Sequence, residues 1–123
     1  MPRKVATHHD LVVWQESMKL VSTTYSLTKT LPREEVFGLV SQMRRAAVSI
    51  PSNIAEGAAR GSAREFRQFL LIARGSLAEL ETQVLVAKNL GYVADNSAIL
   101  QHIRQVLMLL NALIQTLGSK KQP

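Results

Sequence analysis

Apolar residues recur at spacings of three and four in four separate windows of this chain, which commits it to amphipathic helices packed on one another. The first window carries Leu11, Trp14, Met18, Val21 and Tyr25, flanked by Val13, Leu20 and Leu27. Asp10 stands ahead of it as an N-cap, and the spacing predicts a helix over 11–30. The second window carries Val36, Val40, Met43, Ala47, Ile50 and Ile54. Pro32 suits its first turn, and Glu34 and Glu35 suit the positive end of its dipole. Pro51 falls inside this run, but the stripe keeps its phase through it. The prediction is one helix over 33–59, kinked at Pro51 rather than broken.

Gly61 then ends the second helix, and Ser62-Ala63-Arg64-Glu65 reads as a capping box for a third over 63–90. Its stripe is Phe66, Phe69/Leu70, Ala73, Leu77, Leu80, Val84 and Ala87, with Gly91 after its end. Asp95 or Asn96 caps a fourth helix with the stripe Ile99, Ile103, Val106, Leu110, Leu113 and Leu117, stopped by Gly118. All three connections are short, and short connections make sequence neighbours antiparallel. The expected fold is therefore all-α: an up-down-up-down antiparallel four-helix bundle over 10–118. A flexible basic tail over 1–9, with Arg3, Lys4, His8 and His9, precedes it, and a disordered polar tail over 119–123 follows.

At 123 residues one core can be stable without metals or cross-links. The chain has no cysteine, which excludes thiol catalysis, thiolate metal sites and disulfides. No apolar stretch of signal-peptide length follows the basic start, and no wholly apolar run is longer than that from Val106 to Leu110. A cytoplasmic location without membrane contact is the expectation.

The fourth helix is apolar on more than one side. Leu100, Leu107, Met108, Leu109 and Ile114 lie beside its core stripe. A helix apolar nearly all round is normally buried nearly all round, so these residues are the candidate oligomer interface. A wide core face with a few exposed leucines gives the same pattern.

Polar residues also follow a helical period on the inner helices. Gln42, Arg45, Ser49, Ser52 and Glu56 form a second stripe on the second helix, with Asn53 beside it. Ser76, Glu79 and Gln83 share a face of the third. Gly75 costs its helix about 1 kcal/mol relative to alanine, so a close helix approach is expected there. Arg45, Ser49, Asn53, Glu56, Ser76 and Glu79 are read as a structural or inter-subunit polar network, with a polar pocket as the other reading. Glu56 and Glu79 lack the Glu-x-x-His pattern of di-iron bundles, and no phosphate loop, triad or zinc spacing is present. The chain is expected not to be an enzyme and to need no cofactor or metal.

The formal net charge is +6. Arg44, Arg45, Arg60, Arg64, Arg67 and Arg74 fall in one stretch that holds only Glu56 and Glu65 as acids. Arg60, Arg64, Arg67 and Arg74 recur at helical spacing and are expected on one outer face. Together with Arg44 they are the candidate nucleic-acid contacts, because the guanidinium fork matches phosphate oxygens. With little aromatic interleaving, backbone contact with structured RNA or DNA is expected rather than base stacking. The competing readings are a solvated face with intrahelical ion pairs, or a scaffold whose protein partner is acidic.

Phe37 to Arg60 (FGLVSQMRRAAVSIPSNIAEGAAR), Glu65 to Gln83 (EFRQFLLIARGSLAELETQ) and Leu90-Gly91-Tyr92 resemble the bacterial four-helix-bundle proteins encoded in intervening sequences of 23S ribosomal RNA genes. The accessory proteins of diversity-generating retroelements are similar. The resemblance covers about residues 10–117. It implies a homopentamer with a basic outer surface at Arg60, Arg64, Arg67 and Arg74 that contacts nucleic acid. It also implies signature structural positions at Ser49, Asn53, Glu56, Gly75, Ser76 and Glu79, and no catalytic activity. The retroelement branch further implies a reverse transcriptase as a protein partner.

Overall fold

The computed structural model describes residues 7–119. The basic tail with Arg3 and Lys4, and the polar tail at 120–123, lie outside the described residues. The chain forms four α-helices: α1 (Val12–Thr28), α2 (Leu39–Ala59), α3 (Ala63–Asn89) and α4 (Ser97–Ser119). Single 3-10 turns at His8–Asp10 and Arg33–Glu35 precede α1 and α2, and no strand occurs among the described residues. Each helix packs on its sequence neighbours, α4 closes on α1, and the diagonal pairs α1/α3 and α2/α4 do not approach each other. The result is a four-helix bundle around one core, with Leu20, Met43, Ile50, Ile54, Leu70, Leu77, Leu80 and Leu110 fully buried.

The core face of α1 is rotated from the expected stripe. Val13, Ser17, Leu20, Thr24 and Thr28 are the buried residues, whereas Met18 and Tyr25 are exposed and Trp14 and Val21 are half-buried. Hydroxyls are tolerated there because the helix itself satisfies them. Ser17 donates to the Val13 carbonyl at 2.7 Å, Thr24 to Leu20 at 2.8 Å and Thr28 to Tyr25 at 2.9 Å. Asp10, expected to cap this helix, instead closes the preceding turn. Thr7 accepts the His9 N–H at 3.2 Å, and both His8 and His9 set their rings edge-on to Trp14. Residues 7–9 are thus folded against α1 rather than trailing from it.

The second helix begins later than its periodicity predicts. Residues 33–35 form the 3-10 turn, and the backbone at Gly38 leaves the helical region (φ −108°, ψ −110°). Glu35 makes this break affordable to the fold: one carboxylate oxygen accepts the Leu39 N–H at 3.1 Å and the other accepts the Tyr92 hydroxyl at 3.0 Å. The break takes Val36 out of the core stripe and leaves Phe37 96% exposed. From Leu39 onward the helix runs unbroken through buried Pro51.

Close approach between α2 and α3 occurs at Gly57, not at Gly75. A Cβ on Gly57 would stand 2.6 Å from the Phe69 Cβ, whereas one on Gly75 would meet nothing within 4 Å. The fourth helix carries its turns through Gly118 to Ser119. By length and mean hydropathy (1.3) it could cross a membrane. One stripe of it, Ile99, Ile103, Val106, Leu110, Ile114 and Leu117, is buried in the bundle core.

Candidate nucleic-acid interface

The arginine cluster is built on the corner where α2 hands over to α3. Arg60 is the C-cap that follows Ala59 at the end of α2, and Gly61 takes φ +87°, a conformation glycine adopts without strain. Ser62 then caps α3 by accepting the Glu65 N–H at 3.1 Å, and its hydroxyl donates to the Glu65 carboxylate at 3.1 Å. Glu65 therefore supports the serine side chain instead of reaching back to its backbone.

The predicted single face divides into two. Arg60 bonds Glu56 at 2.8 Å, lies 3.9 Å from Glu65 and covers the Phe69 ring, with its guanidinium carbon 4.9 Å from the ring centre. It therefore lies toward the α2–α3 seam. Arg67 and Arg74 turn the other way, onto α4. The Nε of Arg67 donates to the Ile114 carbonyl at 3.3 Å, and Arg74 donates to the Asn111 side chain at 2.9 Å. Arg64 stands between the two sets, exposed and without a partner among the described residues. Arg44 is elsewhere. It donates to Thr28 at 2.9 Å and stacks on Tyr25 at 4.4 Å, so it joins α1 to α2 and is not part of the corner.

Of the polar network, Ser49, Asn53 and Ser76 are joined. The Ser49 and Ser76 hydroxyls are 2.8 Å apart, and Asn53 donates to both the carbonyl and the hydroxyl of Ser49. Arg45 and Glu79 border the same cleft of about 360 Å³ but form no ion pair. Glu56 does not belong to this network, because Arg60 takes its carboxylate. Gln83 escaped notice as a site residue because it reads as the polar end of a helical face. It is only 6% exposed, and its Nε2 reaches Glu79 at 3.4 Å while its Oε1 has no partner among the described residues.

The candidate interface on α4 is partly used inside the bundle. Ile114 is in the core at 5% exposure, taking the place expected for Leu113, which is half-buried. Leu100, Leu107 and Leu109 are half-buried against the core, and Met108 alone of the set stands out at 73% exposure.

Glu16, Tyr92 and Asp95 are perturbed, and all lie outside the arginine corner. The Lys19 ammonium, 3.0 Å away, holds the Glu16 carboxyl below its usual range, helped by His102. The Ser97 backbone N–H lowers Asp95 at the start of α4, and the bond to Glu35 raises the Tyr92 hydroxyl.

A profile of the 23S rRNA-intervening sequence proteins matches residues 9–112 of this fold. The chain belongs to that family. A comparison with curated proteins finds no match. In this intervening-sequence protein the matched span takes in the α2–α3 corner with all four of its arginines, and the polar seam. It stops before the last turns of α4, where Ile114 meets Arg67.

Proposed function

We propose that this intervening-sequence protein is a non-enzymatic, self-assembling cytoplasmic bundle that contacts the sugar–phosphate backbone of structured RNA or DNA. Arg60, Arg64 and Arg67 at the α2–α3 corner make the contact, and Arg74 extends it along the α3–α4 seam. The observation that carries this reading is the state of the arginines. Among the described residues Arg64 has no partner, and Arg67 and Arg74 each spend one donor on α4. A guanidinium has five N–H donors, so both keep several for phosphate oxygens. Because α4 already holds these side chains, less conformational freedom is lost on binding. Arg67 and Arg74 are seven residues apart on one helix, about 10 Å along its axis, so they can engage separate phosphates.

Membership of the family supports an RNA-linked role, and the resemblance in sequence supports a pentameric assembly that would repeat the corner around a ring. The test is binding of nuclease-treated protein to labelled structured RNA and duplex DNA, beside a variant with Arg60, Arg64 and Arg67 changed to alanine. Binding that is lost in the variant is the expected result. No binding at low salt by an intact assembly contradicts it. It would favour a scaffold or accessory subunit, such as a partner of a reverse transcriptase, a reading that the exposed Phe37 supports.

A further inference from the structure

We propose that the seam between α2 and α3 is the face on which a second copy of this chain docks, with Arg45 of one copy pairing with Glu79 of the next. This rests on the self-assembly reading and gives it a location.

Gly75 is the first reason. It lies deep inside the 27-residue α3, where glycine weakens a helix relative to alanine. Gly57 has a use for its missing side chain, because Phe69 stands against it. Gly75 has none among the described residues, since a Cβ there would enter open space. An approaching backbone from outside supplies the use.

Charge is the second. Arg45 and Glu79 face one cleft, opposite in sign, and neither is paired with the other or with any other charged group among the described residues. A face that carries both signs unpaired is complementary to another copy of itself.

The third is a buried polar atom. The cleft of about 540 Å³ next along the seam shares Gln42 and Glu79 with the first, and Gln83 lines it. Among the described residues no donor reaches the buried Oε1 of Gln83, a costly state that a turn of this side chain toward an arriving partner would relieve.

The fourth is the rim. Ile72, Gly75, Glu79 and Val86 on α3 and its C-cap Leu90 follow one another at spacings of three, four, seven and four, so they share one face. Ile72, Val86 and Leu90 are exposed hydrophobic side chains on it, and Val48 is another across the seam on α2. This is the pattern that seats a helix against a helix. The exposed part of α4, by contrast, offers Met108 as its one large apolar side chain.

The test is the solution mass of the full chain by sedimentation velocity over a wide concentration range. The variants are Gly75→Leu, Arg45→Glu, Glu79→Arg, the double reversal Arg45→Glu/Glu79→Arg, and Met108→Lys. Leucine at Gly75 enters free space and favours the helix, so its thermal midpoint should match or exceed that of the wild type. Its association should nevertheless weaken by about tenfold or more, because the close approach is blocked. Each single reversal should weaken association by about tenfold or more, since it sets like charges against each other, and the double reversal should restore it. Met108→Lys should leave the mass unchanged. An assembled wild type whose mass Gly75→Leu leaves intact would overturn the docking face while self-assembly stands. Single reversals that dissociate without recovery in the double variant would overturn the Arg45–Glu79 pairing. A wild type that stays monomeric at every concentration would overturn self-assembly and this inference together.

Discussion

At Gly57 one missing carbon decides how near two helices can lie. Adding a Cβ there brings it 2.6 Å from the Phe69 Cβ and 3.3 Å from the Phe66 carbonyl, and backbone cannot move aside cheaply. Gly57→Ala should destabilise the bundle by about 1–3 kcal/mol, read as a lower urea midpoint at unchanged slope. Two neighbours on α1 give a contrasting pair. Leu20→Ala opens a cavity in the fully buried core and should cost about 2–5 kcal/mol in the same measurement. Thr24→Val removes a hydroxyl that serves only its own helix, and should change stability by less than about 1 kcal/mol. A large loss in Thr24→Val would mean that the hydroxyl does more than satisfy itself. These threonines also explain why the core face of α1 was not legible in the sequence. An apolar pattern passes over Ser17, Thr24 and Thr28, and whether a hydroxyl closes onto the turn before it is settled only in three dimensions.

Among the elements, α2, α3 and α4 announce themselves through unbroken apolar stripes, and the structure follows them with boundaries shifted by few residues at most ends. The exception is the start of α2, because its cap comes from Glu35, held in place by Tyr92 57 residues away. No local pattern carries that tie. The start of α4 gives a pH-dependent prediction. Asp95 accepts both the backbone N–H and the hydroxyl of Ser97, which lowers its carboxyl in the folded state. A carboxyl lowered on folding stabilises the fold above its unfolded value and loses that contribution as pH falls through the folded one. Asp95→Ala should therefore be less stable than wild type at neutral pH. The gap should narrow as pH drops below about 4, the ordinary aspartate value. A gap that persists unchanged into acid would show that the carboxylate charge is not what caps the helix.

Across the whole molecule, the sequence places the arginines close together but does not show which are spent. Arg67 and Arg74 find partners on α4, 47 and 37 residues away, and Arg44 finds one on α1. The basic charge thus gathers at a corner with one arginine that has no partner among the described residues, two held in place but not saturated, and one in an ion pair. The apolar surplus of α4 is partly taken up by the bundle, with Ile114 in the core and Met108 exposed, while Phe37 and the α2–α3 rim remain uncovered. The claim on which the account turns is that this corner reads phosphate. The most direct test is the salt dependence of binding to a duplex, for the wild type and for Arg64→Ala. Each lost phosphate contact should reduce the log–log slope by about 0.9. The account predicts a steep wild-type slope that falls by about that amount in Arg64→Ala. Binding that is insensitive to salt, or a slope that Arg64→Ala leaves untouched, would contradict it.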